Sequence, residues 1–135
     1  MHQQIFVNVA VDDLPRSKAF FEHLGYQFNS RYCNDDGASL ILGDNLYVML
    51  LTKPFFKTFS HKKMIDSHHA NETLICLSCD SREQVNALVA KAKEAGATVP
   101  VSPQDHGFMY VHGFHDLDGH IWELCYMESD NGAEI

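Results

Sequence analysis

Cationic side chains are scarce. Ten Lys and Arg stand against 18 Asp and Glu, a formal net charge of −8, and no basic stretch is long enough to track a phosphate backbone. Nucleic acid is therefore excluded as the expected partner, and a neutral or cationic small molecule suits the field better. Long apolar runs are also missing. None reaches the length of a bilayer span, and Met1-His2-Gln3-Gln4 leads directly into a strand-like stretch, so neither a membrane nor a secreted chain is expected. Only four cysteines occur (Cys33, Cys76, Cys79 and Cys125), embedded in apolar segments. That is too few for a disulfide framework, and a reducing cytoplasm is the expected location. A Gly-rich phosphate loop, a nucleophile elbow and a Walker-type lysine are absent. What is present is an ordinary globular balance of 45% hydrophobic and 21% charged residues over 135 positions, which rules out disorder and fits one domain.

Cys76-Leu-Ser-Cys79 has the spacing of a redox or zinc motif. It lies, however, in Thr73-Leu-Ile-Cys-Leu-Ser-Cys, which reads as a strand, where residues three apart face opposite ways. Two buried, small apolar side chains are the expected role of this pair.

Along the chain, β-branched Ile5 to Val11 predicts a strand. Asp12-Asp13 and Pro15 then open a helix whose apolar side is Ala19, Phe20, Phe21 and Leu24, and Gly25 stops it. Tyr26–Cys33, Ala38–Leu42 and Leu46–Leu51 follow as extended stretches separated by Asp35-Asp36-Gly37 and Gly43-Asp44-Asn45. Lys53–Asn71 lacks a strand period and reads as a linker or flap with a short helix. A second series begins at Glu72–Cys79. Ser81-x-x-Gln84 predicts a capping box, with Val85, Leu88, Val89 and Ala92 on one helical face and Gly96 at its end. Thr98–Val101, Met109–Phe114 and Ile121–Tyr126 complete the strands, while Gln104-Asp105-His106-Gly107 reads as a turn.

Both series run β-α-β-β-β, and an offset of 68 residues superposes Val11 on Cys79, Phe6 on Leu74 and Phe20 on Leu88. A single such unit cannot cover both faces of its sheet. The expected fold class is α+β: two paired βαβββ modules forming curled mixed sheets around a cleft, with helices outside. The expected boundaries are about 3–52 for module one, 53–71 for the linker and 72–128 for module two.

Val11-Asp-Asp-Leu14, Ser17-Lys-Ala-Phe-Phe21 and Leu24-Gly-Tyr26, together with Phe114-His-Asp-Leu-Asp-Gly-His-Ile-Trp-Glu-Leu124, resemble the vicinal oxygen chelate superfamily. This superfamily includes glyoxalase I, extradiol dioxygenases and the fosfomycin- and bleomycin-resistance proteins. The resemblance spans Ile5 to Met127, with Leu117 standing where the terminal signature has proline. It implies paired βαβββ modules, a homodimer and, in the enzymes, a divalent metal in the cleft. Position by position, the implied ligands fall on Phe6, Met49, Leu74 and Glu123. Phe and Leu have no lone pair and a thioether is a poor ligand for such ions, so the standard metal site is not expected to form.

Glu123 shares a strand face with Cys125 and is the candidate catalytic residue: a desolvated carboxylate with a raised pKa, able to act as general base. A wet rim position, or a hydrogen bond from a donor such as Asn8, is the alternative. Phe6, Asn8, Met49, Leu74, His106, Tyr110, His112 and Cys125 are the candidate ligand-binding residues, with the histidines equally readable as structural. Three functions stay open. The first is a metal-independent isomerase or lyase using Glu123. The second is a bleomycin-resistance-like protein that sequesters a small molecule. The third is a glyoxalase- or dioxygenase-like enzyme with a divalent metal held by histidines. No turnover of the glutathione–methylglyoxal hemithioacetal is expected.

Overall fold

The computed structural model describes residues 1–128. The chain divides into two compact units, Met1–Ile65 and a second from Asp66 onward. Each contains a four-stranded mixed sheet, as the α+β expectation requires.

In the first unit, β1 (Ile5–Val11) is followed by α1 (Leu14–His23), β2 (Gln27–Asn29), a 3-10 turn (Ser30–Tyr32), β3 (Gly37–Gly43), β4 (Leu46–Thr52) and α2 (Lys53–Lys57). Asp13 caps α1 by accepting the Arg16 amide at 3.1 Å, Pro15 occupies the first turn, and Gly25 leaves the helix at φ +102°. The sheet order is β1-β4-β3-β2, with β1 and β4 parallel. Val9, Val11, Val48, Leu50, Leu40 and Ala38 are buried together with Phe20, Phe21 and Leu24 of α1 and the residue after it. Each of the larger side chains contributes about 1.5–3 kcal/mol by leaving water. The stretch Tyr26–Cys33 does not stay extended. The Asn29 side chain accepts the Arg31 amide at 3.1 Å and turns the chain into the 3-10 segment.

The second unit repeats the order: β5 (Leu74–Ser78), α3 (Arg82–Glu94), β6 (Gln104–Asp105), β7 (Met109–His115) and β8 (Ile121–Met127), arranged β5-β8-β7-β6 with β5 and β8 parallel. Ser81 accepts the Gln84 amide at 3.0 Å, but the Gln84 side chain reaches back to the Asp80 amide at 2.6 Å rather than to Ser81, so the reciprocal arm of the capping box is displaced by one residue. Val85, Val89 and Ala92 carry the buried face. The strand expected at Thr98–Val101 is reduced to one bridge, Thr98 to His115, and the edge strand is instead Gln104–Asp105, where a turn was expected. Pro100 and Pro103 explain the shift, because a residue without N–H cannot donate to a ladder.

The turn between β7 and β8 is knotted around one carboxylate. Asp116 accepts the Asp118 amide (2.9 Å), the His120 amide (3.0 Å) and the Trp122 indole N–H (2.9 Å). Gly119, at φ +85°, leaves no room for a Cβ, which would sit 2.5 Å from the Ser67 carbonyl oxygen. The Ser67 hydroxyl donates to the Asp118 carbonyl at 2.5 Å, tying the segment before β5 to this turn.

Candidate functional site

In each sheet the helix covers one face, and the sequence-predicted site residues sort by which face they occupy. In the second unit, Leu74 pairs with Ile121, Cys76 with Glu123 and Ser78 with Cys125. Across β7, His115 pairs with Ile121, Gly113 with Glu123 and Val111 with Cys125. Strand alternation puts all of these on the face away from α3. Leu74, Val111, Gly113, His115, Ile121 and Glu123, with Pro100 and Val101 as a wall, line a hollow of about 290 Å³. Glu123 is half-buried there, and among the described residues its carboxylate has neither a hydrogen bond nor a cationic partner.

Gly113 keeps the floor beside Glu123 open. A Cβ at this position would lie 2.4 Å from the Trp122 carbonyl oxygen and 3.2 Å from the Glu123 Cα. Such a clash with backbone has no side chain to yield to it. Gly113→Ala is expected to lower stability by about 1–3 kcal/mol. Urea denaturation checks this, and a midpoint unchanged from the parent would show that β7 and β8 separate at no cost.

Cys76 stands beside Cys125 on the same face, so its thiol neighbour is Cys125 rather than the Cys79 of the CxxC spacing. Burial, reinforced by the neighbouring Cys125 and Glu123, pushes the Cys76 thiol up to about 11. The thiolate fraction at pH 7.5 is then about 300-fold below that of an ordinary cysteine, offset about tenfold by the greater nucleophilicity of a more basic thiolate. Peptide mapping after iodoacetamide treatment is expected to show Cys76 reacting about 30-fold more slowly in the native chain than in urea. Equal rates would refute this.

Two of the predicted ligand-binding residues, Tyr110 and His106, are not brought to Glu123, which corrects the sequence-based grouping. Tyr110 lies on the α3 face, where its hydroxyl donates to the Asn86 side chain at 2.7 Å and the Arg82 guanidinium sits 5.1 Å from its ring centroid. Arg82 also bonds Asp105 and the Gly107 carbonyl, so this group fastens the β6–β7 hairpin to α3. His112 lines the same hollow as Glu123, as expected from the sequence, from the strand position that alternates with Gly113 and pairs with Leu124. Burial pushes its pKa down, and its Nδ1 is buried without a partner. His106 occupies the exposed turn after β6, its amide donating to the Met109 carbonyl at 2.8 Å. His115, one of the histidines weighed from the sequence as pocket groups or metal ligands, is the one that shares the face of Glu123. The five residues between β7 and β8 set that register, and their turn geometry was the available signal.

In the first unit, Phe6 pairs with Tyr47 and Asn8 with Met49, while Met49 also opposes Ser39 on β3. These side chains share the face away from α1. Gln4, Phe6, Asn29, Tyr32, Ser39, Tyr47 and Met49 line a second hollow of about 450 Å³. The Phe6 and Tyr47 rings stack at 5.3 Å and 13°.

Leu74 and Glu123 thus lie together on one face in their unit, and Phe6 and Met49 together in theirs. As a donor set they do not fit a divalent ion, since only Glu123 offers a hard oxygen. Among the described residues no group of three or more His, Cys, Asp or Glu is placed to hold a metal ion. Among the same residues no helix is long and apolar enough to cross a membrane.

The family model for the Glyoxalase/Bleomycin resistance protein/Dioxygenase superfamily matches residues 3–124. A solved hypothetical protein from S. aureus is 32% identical, covers 93% of this chain and 95% of its own, and superposes with a TM-score of 0.81. A glyoxalase/bleomycin resistance protein/dioxygenase family enzyme from Burkholderia phytofirmans PsJN is similar in fold at 19% identity, covering 91% and 97% with a TM-score of 0.74. A glyoxalase-related enzyme from Fulvimarina pelagi, 16% identical over 93% and 88%, gives 0.79. No curated protein matches the chain.

Proposed function

Because the chain belongs to the glyoxalase/bleomycin resistance protein/dioxygenase superfamily, we propose that it is a small-molecule-binding member with a degenerate metal site, in which Glu123 is the base of a metal-independent isomerisation or elimination. One observation carries this reading. At the implied ligand positions Phe6, Met49 and Leu74 have no hard donor, while Glu123 keeps an unpartnered carboxylate in a hollow that also contains an imidazole.

The chemistry follows from those groups. Leu74, Val111 and Ile121 give the carboxylate an apolar surround against which a bound C–H acid can be held within its reach. Glu123 takes the proton from a carbon next to a carbonyl, and the C–H electron pair moves into the enolate. His115, in the same hollow, donates to the enolate oxygen. In an α-hydroxyketone the hydroxyl proton passes to the enolate oxygen and the carboxyl proton returns to the former carbonyl carbon, completing an isomerisation; departure of a β-substituent with its electron pair instead completes an elimination.

Solvent exchange tests the reading. Small neutral ketones and hydroxyketones incubated with the protein in D2O are expected to gain deuterium next to the carbonyl faster than in buffer. A ketone that binds yet never exchanges would refute the enzymatic reading and favour sequestration.

A further inference from the structure

The hollow of the first unit has a composition unlike its surroundings. The chain carries 18 acidic residues, yet among the described residues no carboxylate, ammonium, guanidinium or imidazole lines this hollow. Its lining consists of three aromatic rings, two of them phenols, with two primary amides, one thioether and the Ser39 hydroxyl. The rings are displayed rather than packed away. Phe6 is 50% exposed, although Phe is normally buried, and it lies nearly parallel to Tyr47 across a registered pair of parallel strands. Met49, two residues along from Tyr47 on β4, adds a polarizable sulfur.

The floor of the hollow holds the second observation. Ser39 is 3% exposed, and among the described residues its hydroxyl has no hydrogen-bond partner. It sits in mid-strand, with Met49 on one side and Asn29 on the other in the ladder. The residue lines the hollow, so its hydroxyl is open to bond whatever enters there.

We infer that the first unit's hollow is a subsite for an uncharged, planar aromatic or heteroaromatic group bearing a hydrogen-bonding edge. The ring stacks against the Phe6–Tyr47 pair, and its edge bonds the Ser39 hydroxyl. Stacking prefers flat π-systems over saturated rings of the same size, and a lining without formal charge offers nothing to offset the desolvation of an ion. This rests on the small-molecule-binding reading above, and it names the chemical class without depending on Glu123 as a base.

Titration of the 15N-labelled full chain with benzamide, cyclohexanecarboxamide and benzoate tests it by NMR. Benzamide is expected to shift the amides of Phe6, Ser39, Tyr47 and Met49. It is expected to bind at least tenfold more tightly than its saturated counterpart or the charged acid. Ser39→Ala is expected to weaken benzamide severalfold with no loss of thermal stability, since the hydroxyl bonds nothing in the free protein. Phe6→Leu, at a half-exposed site that tolerates change, is expected to erase the preference for the flat ring. Equal affinity for benzamide and cyclohexanecarboxamide would overturn the inference. So would shifts confined to residues 74–127, an outcome that leaves the Glu123 reading standing. Deuterium exchange without any shift in the first unit overturns this inference alone; failure of exchange with these shifts present overturns the other alone.

Discussion

Asp116→Ala is expected to cost about 3–5 kcal/mol of folding stability, as much as the loss of a large core side chain. The carboxylate is buried and satisfies three donors at once: the Asp118 and His120 amides through Oδ1 and the Trp122 indole through Oδ2. Removing it leaves all three without an acceptor in a region closed to water. Trp122 is among the most buried side chains of the chain, so its N–H cannot turn outward. The loss propagates because Ser67 donates to the Asp118 carbonyl and the Asp116–His120 backbone bond closes the same turn. Asp116→Asn keeps the shape but places an amide N–H against at least one donor, and about 1–3 kcal/mol is expected for it. Burial pushes the Asp116 carboxyl above its ordinary value, against the opposing pull of His120 and the Trp122 and Asp118 donors. A folded-state pKa above the unfolded one means that this ionisation favours folding less as pH rises. Its contribution is full below the ordinary carboxylate range and falls as pH climbs through the folded value. Urea titrations of parent and Asp116→Ala between pH 3 and pH 7 check both statements. A difference below 1 kcal/mol throughout would show that water replaces the carboxylate in the turn.

The element order could be read from the sequence because local signals and tertiary packing agree there. Asp13 and Pro15 start α1, Ser81 starts α3, and Gly25 and Gly96 end them at positive φ, each residue doing locally what the sheet then requires. The repeat offset also foretold the shared sheet order, since Phe6 and Leu74 occupy first strands that run parallel to last strands. The errors lie where one side chain overrides an extended pattern. Asn29 bends the chain after β2, and two prolines move the edge strand of the second sheet to Gln104–Asp105.

The site was harder, because face membership needs register as well as alternation. Tyr110 and His112 were correctly placed on one face of β7 with Phe114, but nothing in β7 alone says which face of β8 that is. The pairing of His115 with Ile121 decides it, and the Asp116-centred turn fixes that pairing. Ser39 escaped notice for a different reason. A serine among Ala38, Leu40 and Ile41 carries no local signal, and only the sheet shows that it lines a hollow with Phe6 and Tyr47.

Glu123→Gln separates chemistry from binding. Glutamine keeps the length and shape of the side chain but cannot accept a proton at neutral pH. Loss of a positioned base typically costs 10²–10⁴ in rate, so deuterium exchange into bound ketones is expected to fall by about 100-fold or more. The fold should tolerate the change, because the carboxylate has no hydrogen bond or ion pair to lose among the described residues. Its near neighbours Cys76 and Cys125 are both pushed up in part by its charge, so both should acidify slightly in the variant. Cys76 alkylation therefore speeds up in Glu123→Gln even as exchange collapses. That opposite movement distinguishes removal of a charge from collapse of the hollow, which would slow exchange while altering ligand affinity and thiol exposure together. Isothermal titration of the same ketones supplies the remaining arm. Affinity within about threefold of the parent, with exchange lost, places Glu123 in the proton transfer; affinity and exchange lost in parallel would make it a binding group and leave the reaction without its base.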